Sequence, residues 1–344
     1  MTTIGIVGAG AAAAATAFRL SNSLPDAEVT VLEKSGGVCG RAATRRHGDL
    51  TYDYGANYLK SDDERVVDLV TDTLDTQGLV DVTEPVYTFD ASGAVSPGRP
   101  VDEHKWSYRR GLTQVAKRLF ARSDATVHRH TRVETLRRDG DTWTCETGET
   151  SWGPFDAVVL NPPGPQTADI LSDAAWDSDA RDALVDAADL PYRTVWTAVL
   201  RYPFDIDTPY YALVNPEKDH AVGWISREEC KPGHVPDGET LLVVQANHDW
   251  SVERYDADPA ENVATLASHA ADIVGDARLR EPVWTDHQGW RYALPEEAAP
   301  DGPLRDANAE GLYVTGDWIT GEGRLHAALA NGLDTGEQLA AAFR

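Results

Sequence analysis

The chain has 344 residues, is 42% hydrophobic with ten Trp, and carries a formal net charge of −25 with a pI near 4.6. That length can bury a large core and exceeds the usual size of one domain. No apolar run reaches the ~20 residues of a membrane span, and so acidic a surface repels nucleic acid and anionic membranes.

The first stretch is the most informative. TIGIVGAGAAAAATAFRL reads as a short β run (Ile4, Ile6, Val7), a glycine turn and an alanine-rich helix; AEVTVLEK is a second β run ending on Glu33. Gly8, Gly10 and Ala13 fill the G-x-G-x-x-G/A positions of a βαβ dinucleotide fingerprint. Gly8 permits the tight turn, Gly10 lets backbone N–H groups approach a pyrophosphate, and Ala13 keeps the helix close to the strand. The helix start adds roughly half a positive charge. Glu33 follows Gly10 at the distance where an acid accepts ribose hydroxyls and disfavours a 2′-phosphate. Gly8, Ala9, Gly10, Ala11, Ala12, Glu33 and Lys34 are therefore the expected nucleotide contacts. The run after Gly10 lacks a basic leader and its glycines serve the turn, so it is not read as a signal peptide. Cys39, Cys145 and Cys230 are far apart and match no metal spacing, so no metal is expected and a reduced cytoplasm is the simplest setting.

Next comes KSGGVCGRAATRR, a loop with Gly36, Gly37 and Gly40 followed by Arg41, and then LTYDYGANYL, strand-like with a turn at Gly55. An acid-ended second strand, then GGxxGR, then D-x-G-A-x-Y resembles the flavin amine oxidase superfamily. The resemblance implies that Gly40 and Arg41 meet the pyrophosphate of FAD. It implies also that Gly55, Ala56, Asn57 and Tyr58 pass beside the isoalloxazine. Cys39 stands where that family usually has glycine; a small residue still fits. For Arg41 the alternative is a surface ion pair.

Residues 61–80 have helical apolar spacing, with Asp62, Asp63 and Glu64 favouring the start and Gly78 the end. Residues 82–107 read as short strands and turns punctuated by Gly93, Pro97, Gly98 and Pro100. An amphipathic helix follows at 109–120. Then comes a hairpin: a strand to Arg137, a turn at Asp139-Gly140 and a strand at Thr142–Thr147. His128 and His130 alternate on its first strand as solvated residues without a third ligand. Val133 sits where the family touches adenine through its main chain. FDAVVLNPPGPQTADIL, 155–171, is an apolar strand capped by Asn161-Pro162-Pro163, and 172–190 is an acidic helix. TVWTAVLRY, YYALVN, HAVGWISRE and TLLVVQAN read as successive strands, and 259–275 as a helix with Pro259 in its first turn. The expected fold is α/β: a Rossmann-like FAD-binding domain (1–60, 111–166 and 301–344) interleaved with an α+β substrate domain (61–110 and 167–300) whose sheet is largely antiparallel.

Two later motifs resemble the renalase-like branch of that superfamily. DHQGWRYALPE, 286–296, is similar to its H-x-W-R-Y-A, with Gly289 inserted between His287 and Trp290. GLYVTGDWITGEGRLHAALANGLDTGEQLA, 311–340, is similar to its G-D-W…G-R-V-E-G-A, with Leu325 and His326 for the Val–Glu pair. Gly316 then approaches the pyrophosphate and Asp317 the ribityl chain or phosphate edge. The helix starting near Arg324, Leu325 and His326 faces the flavin, where a positive helix end stabilises the reduced form by roughly 0.3–2 kcal/mol. The resemblance implies non-covalent FAD, hydride transfer from a small reduced substrate to flavin N5, and reoxidation by O2 to peroxide. In that branch the substrates are dihydronicotinamide isomers of NAD(P)H. Asn57, Tyr58, Trp290 and Tyr292 are the expected substrate wall, with His326 at the flavin face. Core packing is the alternative for Trp290 and Tyr292, and an ion pair for Arg291. Oxidation of an amine, a carotenoid-type desaturation, or flavin binding without turnover are the competing readings. None of the six lysines lies in a motif that places it at N5. Excess acid, scarce lysine and abundant Ala, Asp and Thr also resemble proteins of salt-accumulating halophiles.

Overall fold

The computed structural model describes residues 1–99, 103–148 and 150–344; Pro100, one of the expected turn residues, lies outside them. Five parallel strands form the first sheet, in spatial order Leu312–Val314, Ala157–Leu160, Thr3–Val7, Glu28–Leu32 and Thr126–His128. Both of its faces are covered, which is why its strands read as continuous apolar runs. Helices Ala11–Ser23 and Leu325–Phe343 pack against each other on one face. The alanine run serves this contact: a Cβ on Gly332 would stand 2.3 Å from the Ala12 carbonyl oxygen, and the Thr16 hydroxyl donates to Gly332 O at 2.9 Å.

The second sheet has seven strands, in order Trp284–Pro295, Tyr192–Tyr202, Thr240–Ala246, Val222–Arg227, Ala212–Val214, Val86–Phe89 and Val95–Ser96. It is antiparallel except where Ala212–Val214 runs parallel to Val86–Phe89. Helix Pro259–Val274 seals one face with Leu266, Ala267 and Ala270. Its start is fixed by Pro259 and by the Asp258 carboxylate accepting from Ala260 N. The opposite face borders the main cavity. Helices Gly164–Ser172 and Asp179–Ala188 share an apolar cluster with Leu160, Leu312 and Val314 of the first sheet. No described helix is long and apolar enough to cross a membrane.

Three local expectations change. At 61–80 Asp63 does cap the helix, accepting from Arg65 N at 2.9 Å. The α-helix nevertheless ends at Asp68, widens into a π turn over Leu69–Thr73 and stops short of Gly78. Val66, Leu69, Val70 and Leu74 reach one buried cluster without a further turn, and Gly78 takes a left-handed φ of 75° before strand Leu79–Asp81. The first strand of the expected hairpin is broken in two. Thr126–His128 joins the parallel sheet, while Thr135–Asp139 pairs with Thr142–Glu146. Glu33 explains the break: its N–H donates to His128 O and its carbonyl accepts from Thr131 N, both at 2.8 Å, which ends the parallel pairing. His130, at φ 57°, is therefore not on a strand with His128. Finally, the acidic helix spans only Asp179–Ala188, beginning at its Ser178 cap.

Candidate active site

One cavity of about 1520 Å³ runs between the parallel sheet and the open face of the antiparallel one. It exceeds the ~300–1,000 Å³ usual for a single ligand, so it has room for a dinucleotide and a second molecule. Every residue expected to touch cofactor or substrate lines it, from the Gly8–Ala12 turn to Val133, the Gly55–Tyr58 segment, Trp290, Tyr292 and the 316–326 loop.

At the nucleotide end the turn leaving Thr3–Val7 is built for close approach. A Cβ on Gly10 would lie 2.4 Å from Asn161 Oδ1, the atom that accepts from Gly10 N at 3.0 Å. Asn161 Nδ2 in turn donates to Thr315 O at 2.9 Å, so one amide ties the turn to the last strand. Helix Ala11–Ser23 has no side-chain cap and no acid in its first turn, leaving its N–H groups and dipole to the cavity. Helix Leu325–Phe343 opens onto the same cavity, equally uncapped behind Arg324. Glu33 is buried at 8% exposure. Its carboxylate accepts from Ala9 N at 2.7 Å, from Ser35 N at 2.7 Å and from the Ser35 hydroxyl at 2.5 Å. It thus organises the turn besides being available to a ribose. Lys34 donates to Gln166 at 3.1 Å. Cys39 has φ 82°, the left-handed backbone that makes glycine the family's usual choice. Its N–H donates to Ala9 O at 2.8 Å, and burial pushes its thiol up to about 12.

Arg41 is not a surface ion pair. Its guanidinium donates to Asp317 Oδ1 at 2.7 Å and to the carbonyls of Ala293 (2.9 Å) and Tyr292 (3.3 Å), joining three cavity-lining segments. Burial alone would lower its pKa, but Asp317 and Tyr192 raise it and keep it charged. His326 Nε2 lies 3.2 Å from Glu322 Oε1.

The Gly55–Tyr58 segment is held from several sides. A Cβ on Gly55 would stand 2.1 Å from Arg41 O, and Gln245 Nε2 donates to Gly55 O at 2.7 Å. Asn57 Nδ2 donates to Gln245 Oε1 (3.3 Å) and Asn57 Oδ1 accepts from the Ser226 hydroxyl (3.2 Å). Burial raises the Tyr58 phenol, with Lys60 and Arg324 only partly offsetting it, so it stays neutral. Trp290 stacks on Tyr54 at 5.2 Å and its Nε1 donates to Tyr54 O at 3.2 Å; Tyr292 meets Tyr192 edge-on at 5.6 Å. Both rings therefore pack and line the cavity at once. On strand Trp284–Pro295, every residue from Gln288 to Leu294 lines the cavity. His287 is absent from that lining and stacks on Trp196 at 5.3 Å.

Beneath this segment lies a charged cluster that sequence reasoning missed. Asp53, Glu228, Lys231 and His234 are all at 0% exposure. Lys231 Nζ is 3.0 Å from Asp53 Oδ2 and 2.8 Å from Glu228 Oε1; His234 Nδ1 is 2.9 Å from Glu228 Oε2. Asp53, Glu228 and His234 converge closely enough to bind a cation, and the ammonium of Lys231 is the cation they hold. Lys231 does not line the cavity.

A parallel nucleotide sheet, a glycine cradle with uncapped helix starts, and a second compartment under an antiparallel sheet define an enzyme that works through a dinucleotide cofactor. The sequence matches the NAD(P)-binding Rossmann-like domain over residues 6–73 and the flavin containing amine oxidoreductase model over 90–340. The chain belongs to the flavin-containing amine oxidoreductase family and is a flavin-dependent oxidoreductase. Its fold is similar over 99% of its length to three solved structures. They are a protein from Exiguobacterium sp. 255-15 described as "Putative protoporphyrinogen oxidase" (14% identity, TM-score 0.81, 99% of that chain), cyclohexylamine oxidase from Brevibacterium oxydans IH-35A (14%, 0.73, 99%) and a reduced UDP-galactopyranose mutase (11%, 0.76, 96%).

Proposed function

We propose that the protein holds FAD non-covalently and oxidises a small reduced substrate, a dihydronicotinamide isomer of NAD(P)H, with O2 as final acceptor. The observation that carries this reading is the W-R-Y-A strand beside Gly55–Tyr58 in a cavity larger than a single ligand needs. When bound, the flavin supplies a two-electron acceptor that O2 can regenerate. Glu33 and the two helix starts would hold the dinucleotide, with Gly40, Arg41, Gly316 and Asp317 at its middle and Val133 at its adenine. Asn57, fixed by Gln245 and Ser226, and the rings of Tyr58, Trp290 and Tyr292 would align a flat substrate within about 3–3.5 Å of the reacting atom. In this reading 1–60, 111–166 and 301–344 form the nucleotide unit and 61–110 and 167–300 the substrate unit. The helix pair at 164–188, which this division cuts after 166, packs on the first sheet. The free cysteines suit a reduced cytoplasm, and the acidic composition a salt-rich one.

The test is anaerobic mixing in high salt. The bound flavin is bleached quickly by 2- or 6-dihydro isomers of NAD and slowly by ordinary NADH, and Trp290→Ala slows bleaching while FAD stays bound. Bleaching by amines but not by the isomers would refute the branch and leave the family intact.

A further inference from the structure

The cavity's charge runs against that of the chain. Overall, 56 acids outnumber 31 Lys and Arg. Residues 191–300, which build most of the antiparallel sheet, contain 19 acids and nine Lys or Arg. None of those 19 acids lines the cavity, whereas three of the nine cations do: Arg193, Lys218 and Arg291. The lining acids lie elsewhere. Glu33 and Glu134 come from the nucleotide-side segments, Asp169 and Asp173 from helix Gly164–Ser172 and its C-cap, which pack on the first sheet, and Asp317 is bound to Arg41.

The three cations are not committed to partners. The acid recorded beside Arg193 is Glu296, at 3.8 Å, and the one beside Arg291 is Asp256, at 3.9 Å; both distances are beyond hydrogen-bond reach and neither acid lines the cavity. Arg291 instead rests 4.1 Å over the Tyr255 ring. Among the described residues Lys218 has no acid within 4.0 Å; its backbone takes the left-handed region at φ 59°. Four more side chains that line the cavity from this region, Asn215, Gln245, Asn247 and Gln288, are neutral amides. A protonated amine entering here would find no carboxylate. A phosphate would find guanidinium forks and an ammonium.

We infer that this chamber is a phosphate-binding substrate site, in which Arg193, Lys218 and Arg291 select polyanionic substrates and reject protonated amines. The inference deepens the proposed function and rests on it for the redox half of the reaction. In molar salt the Debye length is about 3 Å. Long-range attraction is then screened, and selection depends on direct contact with these three side chains.

The flavin-loaded protein, in about 2 M KCl, is titrated with ADP-ribose, a redox-inert pyrophosphate, and with benzylamine. Binding is followed by the flavin absorption band and by fluorescence of Trp224 and Trp290. ADP-ribose should bind saturably, and Arg193→Gln, Lys218→Gln and Arg291→Gln should each raise its Kd about five- to tenfold with flavin retained. Arg278→Gln, remote from the cavity, should leave it unchanged. No saturable ADP-ribose binding, an unchanged Kd in the triple variant, or tighter binding of benzylamine would overturn the inference. If dihydronicotinamide isomers fail to bleach the flavin while ADP-ribose binding stays cation-dependent, the anion site stands and the substrate reading falls. If the isomers bleach it with a KM that the triple variant does not move, the reverse holds.

Discussion

Lys231→Met removes the cation at the centre of the buried cluster under the active site. The methionine keeps most of the volume, so packing changes little and charge dominates. Two carboxylates, Asp53 and Glu228, are then left at 0% exposure without their ammonium. Asp53 keeps the Thr44 hydroxyl at 2.6 Å, Leu112 N at 2.9 Å and the Ser107 hydroxyl at 3.1 Å. Glu228 Oε1 keeps no hydrogen bond at all. Breaking one side of a buried ion set costs about 3–5 kcal/mol. At roughly 2.1 cal/mol/K per residue, 344 residues give about 0.7 kcal/mol/K, hence a Tm lower by about 4–7 °C. The sign with pH follows from Asp53. Burial pushes its carboxyl up, but Lys231, His234, Thr44 and the Leu112 N–H outweigh it and hold it below the usual carboxylate range. A depressed folded pKa stabilises the fold above the unfolded value and is lost as pH falls through the folded one. Without Lys231, burial prevails, and acid unfolding should begin at higher pH. The assay is thermal melting by far-UV circular dichroism from pH 4 to 8 at fixed KCl, with urea unfolding alongside. A loss below about 1 kcal/mol, or an unmoved acid limb, would refute this account of the cluster.

Three further outcomes are expected. Glu33→Gln should weaken FAD by about 1–3 kcal/mol, read as a higher Kd when apoprotein is titrated with FAD; an unchanged Kd would show that the carboxylate serves only the turn. Gly332→Ala forces a methyl against the Ala12 carbonyl, should cost about 1–3 kcal/mol by thermal melting, and should loosen FAD because Ala12 lines the cavity. With its net charge of −25, the protein should melt at rising temperature as KCl increases far past the ~0.15 M where the Debye length is already about 8 Å; a flat curve would reject adaptation to salt.

The parts of the site legible in sequence are those whose geometry is made by neighbours along the chain. Gly8 and Gly10, the acid at Glu33, and the helix start after Arg324 are backbone devices, and their residue types and spacing announce them. Asn161 was visible only as the end of a strand. Its amide matters because it bridges Gly10 and Thr315, residues that share no local pattern. The Asp53–Lys231 pair spans 178 residues, and Asn57 finds Gln245 188 residues away; no periodicity encodes such partners. The broken hairpin at His130 fails for the same reason, since Glu33, just past the end of strand Glu28–Leu32, bonds to both His128 and Thr131. Gly78 takes its left-handed φ, but it does not end the helix as its position suggests; packing ends the helix five residues earlier, at Thr73.

The order of strands in the parallel sheet also has a consequence for biosynthesis. Thr3–Val7 emerges first, yet its partner Ala157–Leu160 lies about 150 residues later and the edge strand Leu312–Val314 about 300 later. At roughly 5–20 residues per second, the first strand waits on the order of 8–30 s for one flank and the sheet on the order of 15–60 s for its edge. Through that interval the Ala11–Ser23 helix lacks its Leu325–Phe343 partner and the cavity lacks Gly316 and Asp317 of its lining. In the proposed site, cofactor capture is therefore complete only once residues 316 and 317 have been made. Flavin arriving earlier meets only half a cradle and a β edge still open to other chains.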